Sequence, residues 1–176
     1  MSRIKMGDGV EYVFWALTPL AAKEKRVKAS LAFLQDYIEG DAVGRITRDV
    51  KRLEKEESRI DEVIRASQWI MENADAIETR YKALEEIKGC NTKATTLSDE
   101  IRKLQKKGDD ITDRANTESK FITVWMLQQD PNKLKQDHAE AITTSMNCLE
   151  PVKVILGFGD EEDEKVPDPL GATSTS

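Results

Sequence analysis

The sequence predicts an all-α fold, an elongated helical bundle built on a long, coiled-coil-like antiparallel hairpin with two shorter helices. Apolar residues recur at helical spacing over long stretches of the chain. Aromatic residues are few and 34% of the 176 residues are charged, which suits long helices with one solvent-exposed face. Proline, glycine and capping residues mark the expected helix ends.

The first predicted helix covers about residues 19–39. Thr18 can cap its first turn, and Pro19 fits there because the first N–H groups of a helix have no helical acceptor. Gly40 supplies a left-handed stop, and Asp41 can cap the next helix. The preceding residues 1–18 are interpreted as an apolar, flexible entry.

Two long helices are predicted over about residues 42–88 and 96–129. The first carries apolar residues at seven-residue intervals, and Gly89 followed by Asn91 offers its end. Because only residues 89–95 separate the two helices, they are expected to fold back as an antiparallel hairpin. The expected oligomerisation seam consists of Leu53, Ile60, Val63, Ile70, Ile77, Leu84, Leu104 and Ile111.

A shorter helix is predicted over about residues 131–149, opened at Pro131 and ended at Pro151. The helical domain therefore covers residues 19–156. Residues 157–176 form an acidic segment that cannot build a core, and we expect it to be disordered. This tail carries −5 of the net charge of −6, so the rest of the chain is nearly neutral.

Composition and cysteine usage indicate an intracellular protein without a membrane span. The dense apolar run near the start, residues 10–17, is too short to cross a bilayer. Cys90 and Cys148 lack the spacing of a disulfide framework and are expected to be reduced thiols. We therefore expect a cytoplasmic location, and a nucleus or a host cell is compatible with the same features.

The sequence offers no catalytic, metal-binding or cofactor motif. His138 is the only histidine, and no nucleophile or carboxylate is placed near it by helical spacing. One histidine and two cysteines make a poor zinc site, because structural zinc usually takes four ligands. We therefore expect a non-enzymatic protein with no catalytic residues, no metal, no cofactor and no small-molecule substrate.

The strongest functional pattern is a row of cations near the start of the long helix. Their spacing of 3, 4, 3 and 4 residues places them on one side of that helix: Arg45, Arg48, Arg52, Lys55 and Arg59. Lys25, Arg26 and Lys28 form a second basic group on the preceding helix. Arginine dominates the row, and its planar fork suits phosphate as well as carboxylate.

Two functions are compatible with this pattern. The first is an assembly scaffold or adaptor that self-associates, or binds a helical partner, while acids on a partner helix pair with the cations. The second is an oligomeric protein that binds RNA or DNA backbones through the cations, with weak sequence specificity. Base stacking has little support, because Trp15, Trp69 and Trp125 fall in apolar patterns and are expected in the core.

Overall fold

The structure of the protein is a computed structural model that describes residues 2–5, 11–129, 135–144 and 146–158. Its elements, in chain order, are β1 (Ser2–Lys5), β2 (Glu11–Phe14), α1 (Pro19–Lys23), α2 (Lys25–Glu39), α3 (Ala42–Asn73), α4 (Ile77–Gln128), α5 (Gln136–Thr143) and α6 (Leu149–Ile155). The predicted all-α class, built on a long helical hairpin, is confirmed, and β1 and β2 are the only strands among the described residues.

The chain divides into two compact units. Lys28–Ser119 contains most of α2, all of α3 and most of α4. Met1–Val27 and Lys120–Ser176 together form the other unit. The long hairpin belongs to the first of these units.

The hairpin is formed by α3 and α4, and it turns at residues 74–76. The N–H of Ala74 donates to the carbonyl of Ile70 (2.9 Å), and the guanidinium of Arg80 donates to the carbonyl of Ala74 (2.6 Å). These bonds use backbone groups that a helix end leaves without partners. The turn contains neither glycine nor proline, so the usual turn residues do not mark it in the sequence.

The predicted connection at residues 89–95, between helices over 42–88 and 96–129, is wrong. α4 continues through this stretch without a break. Half-buried residues at helical spacing extend the packing through it: Ile87, Cys90 and Ala94. This packing outweighs the cost of about 1 kcal/mol that a glycine such as Gly89 imposes inside a helix.

Contacts between α3 and α4 follow an antiparallel register. The Ser67 hydroxyl donates to the Glu86 carboxylate (2.8 Å), and the Ser98 hydroxyl donates to the Glu57 carboxylate (2.5 Å). The hydrophobic cluster between the helices consists of Ile46, Val50, Leu53, Leu97, Ile101 and Leu104. Each step forward along α3 therefore corresponds to a step back along α4.

Buried and half-buried residues alternate at spacings of three and four residues on both helices, and we call this set the hairpin seam. On α3 it comprises Ile46, Val50, Leu53, Glu57, Ile60, Ile64, Ser67 and Met71. On α4 it comprises Ala83, Ile87, Cys90, Ala94, Leu97, Ile101, Leu104 and Gly108. The second row on α3 thus passes through Ile64 and Met71, whereas the sequence pattern places Val63 and Ile70 there.

α2 pairs with the part of α4 that extends past the N-terminal end of α3. The Ser30 hydroxyl donates to the buried Glu118 carboxylate (2.5 Å). The Arg114 guanidinium lies 4.0 Å from the centre of the Phe33 ring. Both contacts fall within the unit that contains the hairpin, so α2 and α3 contact successive parts of α4.

The predicted helix over residues 19–39 is interrupted in the structure. Thr18 caps α1 as predicted, because its hydroxyl accepts from the N–H of Ala21 (3.2 Å). Glu24 is extended and ends α1. The carboxylate of Glu24 accepts from the N–H of Val27 (2.9 Å), so Glu24 provides the capping group for α2.

The left-handed residue between α2 and α3 is Asp41, with φ of 47°, and not Gly40 as predicted. Asp41 makes no side-chain capping bond, because its carboxylate pairs with Arg48 at 3.0 Å. Gly40 is still constrained sterically. A Cβ at that position would lie 2.5 Å from the carbonyl oxygen of Asp36.

The second unit begins with a two-stranded antiparallel sheet. β1 and β2 pair with Ser2 opposite Phe14 and Lys5 opposite Glu11. The predicted flexible entry over residues 1–18 therefore contains two strands, and the part of it at 6–10 lies outside the described residues. Fully buried side chains of this unit include Phe14, Val27, Ile122, Met126 and Val152.

The helix predicted over residues 131–149 is replaced by α5 and α6. Pro151 does not end a helix, because it lies in the first turn of α6, where no helical acceptor is needed. The predicted start at Pro131 lies outside the described residues. Pro151, which the sequence predicts as the end of a helix, therefore lies near the beginning of one.

α6 ends at a left-handed glycine. Gly157 has φ of 83°, and the N–H of Phe158 donates to the carbonyl of Lys153 (2.8 Å). This arrangement is typical of helix ends that close on glycine. The predicted disordered tail continues from here, and its residues 159–176 lie outside the described residues.

The register of the hairpin predicts a specific cross-link. Ile46 lies 3.5 Å from where a Cβ of Gly108 would be, and equal steps along the two helices place Ile64 opposite Cys90. Ile64→Cys should therefore form an intramolecular disulfide with Cys90 under mild oxidation, because the register places the two residues face to face and a disulfide requires facing Cβ atoms. Non-reducing electrophoresis detects the looped monomer.

Matched variants control this cross-link. Val50→Cys introduces a thiol in the same row of α3 but far from Cys90, and the pair Ile64→Cys with Cys90→Ala removes the partner. Neither should form the loop. A loop from Val50→Cys, or none from Ile64→Cys, contradicts the register.

Candidate nucleic-acid interface

The predicted cationic row lies on the side of α3 that points away from α4. None of its members belongs to the hairpin seam, and all are exposed. Lys51 falls on the same outward side and is exposed as well. We call these residues the cationic face: Arg45, Arg48, Lys51, Arg52, Lys55 and Arg59.

The acidic residues of this stretch lie elsewhere on α3. Glu57 belongs to the hairpin seam and accepts from Ser98 (2.5 Å). Helical periodicity places Asp49, Glu54 and Glu56 on the flanks, between the seam and the cationic face. Acids and cations that interleave along the sequence are thus segregated around the helix.

Two arginines of the cationic face make local ion pairs. Arg48 lies 3.0 Å from Asp41, and Arg52 lies 3.6 Å from Asp49. Every side chain in these pairs is at least 53% exposed. Exposed ion pairs contribute only about 0–1 kcal/mol, so an anionic ligand can replace the acid in either pair.

The other cations retain most of their hydrogen-bonding capacity. Arg45 donates to the carbonyl of Gly40 (2.5 Å) and keeps further N–H donors. Within the described part of the chain, Lys55 and Arg59 take part in no ion pair. From Arg45 to Arg59 the face extends ~21 Å along the helix axis.

A shallow depression runs beside the cationic face. Its lining residues are Arg52, Lys55, Glu56, Arg59, Ile60 and Val63. All of them belong to α3, so the depression is an open helix surface and not a cavity. Val63 is 40% exposed and supplies apolar area next to the cations.

The outward side of α4 has a different charge pattern over the matching length. It carries both signs at exposed positions: Asp99, Arg102, Lys103, Lys106 and Asp109. Arg102 pairs with Asp99 at 3.0 Å. Over this length, a surface of one sign is therefore found on α3 and not on α4.

The second predicted basic group lies on α2. Lys25, Arg26 and Lys28 are all exposed. The Arg26 guanidinium lies 4.6 Å from the centre of the Phe121 ring, so part of its surface packs on an aromatic ring. Among the described residues, no member of the cationic face lies over an aromatic ring, so the two basic groups differ in their contacts.

Trp69 lies on the surface, and the prediction that it belongs to the core is wrong. It is 66% exposed, whereas Trp15 and Trp125 are half-buried. The seam passes through Ser67 and Met71, so the intervening position 69 points away from α4. The apolar run at Trp69 conceals this direction in the sequence.

The residues of the predicted oligomerisation seam differ in their exposure. Most of its residues are buried or half-buried within the chain: Leu53, Ile60, Ile70, Leu84, Leu104 and Ile111. Val63 and Ile77 are 40% and 69% exposed. The two helices therefore cover most of this apolar surface for each other, without a second chain.

The histidine and cysteine residues of the described part of the chain are the candidate reactive groups of the sequence. No group of three or more histidine, cysteine, aspartate or glutamate side chains there could hold a metal, and His138 is exposed on α5. Burial raises the pKa of the Cys148 thiol, although a hydrogen bond from Thr123 and the charge of Lys120 oppose the shift. Cys148 is therefore protonated at neutral pH and a poor nucleophile.

Comparisons with protein-family models, curated proteins and solved structures find no match for this chain. Within the described residues, no helix combines the length and the apolar character needed to span a membrane.

The burial pattern predicts unequal stability losses. Leu53→Ala should lower the free energy of unfolding by about 2–5 kcal/mol, because it removes a buried side chain from the hydrophobic cluster. Val63→Ala should cost less than about 1 kcal/mol, because Val63 is 40% exposed. Urea unfolding followed by circular dichroism measures both, and similar losses would mean that Val63 is also covered.

Proposed function

We propose that this chain is a non-enzymatic protein that binds the phosphate backbone of RNA or DNA through the cationic face of α3. The observation that carries the proposal is charge segregation. Between residues 45 and 59, the outward side of α3 carries six exposed cations and no acid over ~21 Å of the helix axis. A nucleic-acid strand presents a phosphate about every 3.4 Å, so this length can meet several phosphates.

The chemistry of the face suits phosphate. Four of its members are arginines, whose guanidinium forks donate two parallel hydrogen bonds to phosphate oxygens. Binding releases counterions from the nucleic acid, which makes affinity fall as salt rises. Backbone contacts carry no sequence information, so we expect little base specificity.

The proposal predicts salt-dependent binding that weakens in the triple variant Arg48→Ala, Arg52→Ala, Arg59→Ala. Each lost phosphate contact should reduce the slope of log K against log salt by about 0.7–0.9, or roughly 2–3 for the triple variant. Fluorescence anisotropy of labelled RNA and DNA, titrated between about 50 and 200 mM salt, measures this slope.

A charge-matched variant controls for net charge. Arg102→Ala, Lys103→Ala and Lys106→Ala remove the same charge from the outward side of α4 and should leave the slope nearly unchanged. Absence of binding at low salt would overturn the proposal. An equal effect of both triple variants would show that total charge, and not the cationic face, governs binding.

A second candidate function is an assembly scaffold or adaptor that self-associates. Ile77 and Tyr81 favour it, because they are 69% and 64% exposed and lie one turn apart at the start of α4. Large apolar side chains exposed side by side are typical of protein interfaces. This surface is on α4, so the two functions are compatible.

Self-association is tested by light scattering over a range of concentrations. The candidate predicts a mass above that of one chain at tens of micromolar, and a shift toward the monomer for Ile77→Ser with Tyr81→Ser, because these changes remove apolar contact area. Lys82→Ser, which alters an exposed neighbour of Tyr81, should have no effect. A wild-type monomer at these concentrations would exclude this function.

A further inference from the structure

We infer that the nucleic acid bound by the cationic face is single-stranded and that Trp69 stacks on one of its bases. This inference rests on the proposed function and adds the class of nucleic acid. Trp69 is exposed on α3, and the proposed phosphate contacts of the cationic face make no use of it.

The indole of Trp69 is one of two strongly exposed aromatic rings of its unit, and the other, Tyr81, lies on α4. Trp69 is 66% exposed, and in the described residues it makes no ring–ring or cation–ring contact. Phe33 in the same unit stacks on Tyr37 and is covered by Arg114. An uncovered tryptophan face is an effective stacking surface for a base.

Trp69 continues the line of the cationic face. It follows Lys55 by four helical turns, so the two side chains leave α3 on the same side, and the exposed carboxylate of Glu62 lies between them. The distance from Arg45 to Trp69 along the axis is ~36 Å. A strand stacked as in a duplex, with about 3.4 Å per nucleotide, would cover this length with roughly ten nucleotides, and a more extended single strand would need fewer.

The depression beside the cations provides a second apolar surface. Ile60 and Val63 lie in it next to Arg52 and Arg59, and the carboxylate of Glu56 belongs to the same lining. Phosphates can bind the arginines while unpaired bases contact the apolar side chains. A duplex cannot make these contacts from its outer surface, because its base faces are covered by stacking with their neighbours. Charge complementarity combined with these apolar surfaces therefore favours a single strand.

The test compares a labelled single strand of about 16 nucleotides with the duplex of the same sequence at low salt. Wild-type protein should bind the single strand more tightly. Trp69→Ala should weaken single-strand binding by about tenfold and leave duplex binding unchanged. Trp69→Phe should keep most of the affinity, because phenylalanine also offers a ring face.

Two controls make the outcome specific. Leu20→Ala removes a similarly exposed apolar side chain from α1 and should not alter binding to either probe. Quenching of tryptophan emission by the single strand should occur in the wild type and be lost in Trp69→Phe, which still binds. Circular dichroism verifies that each variant remains helical.

Failure of this inference is distinct from failure of the proposed function. Unchanged single-strand affinity in Trp69→Ala, or equal binding of duplex and single strand, overturns the stacking inference while the backbone proposal stands. If neither probe binds at low salt, both are overturned. Binding to phosphatidylserine vesicles without binding to either probe would also overturn both and assign the face to anionic membranes.

Discussion

The structure of the hairpin depends on the alternating three-and-four spacing with which α3 and α4 pack on each other. This seam, from Ile46 beside Gly108 to Met71 near the turn, buries the apolar side of each helix against the other. Because α4 covers only one side of α3, the residues on the opposite side must face solvent. The orientation of the cationic face and of Trp69 is therefore a consequence of the seam.

Hydrogen bonds between serine and glutamate restrict the register of this packing. Glu57 and Ser67 interrupt the apolar seam of α3, and each has a partner on α4, in Ser98 and Glu86. A shift by one heptad would separate these pairs and leave Glu57 at the seam without its donor. Leaving a polar group in the seam without its hydrogen-bond partner costs more free energy than a typical hydrogen bond contributes. Polar residues at these positions therefore favour one register.

Local sequence patterns predicted the all-α class, the long hairpin and the grouping of the cations on one side of α3. They misplaced the turn, because Gly89 and Asn91 are strong local stop residues while Ala74 is an ordinary helix former. The continuing spacing of Ile87, Cys90 and Ala94 indicated the correct answer, since tertiary packing overrides local propensity. The exposure of Trp69 could not be predicted until the seam rows on α3 were known.

Continuity of α4 through residues 89–95 is the central claim, because it fixes the seam, the register and the outward surface of α3. Amide hydrogen exchange resolved along the chain tests it most directly. We expect the amides of residues 89–95 to be protected, and those of Asp75 and Ala76 in the turn to exchange rapidly, whereas the Ala74 amide is hydrogen-bonded to Ile70. Rapid exchange at 89–95 together with protection at 75–76 would contradict the account.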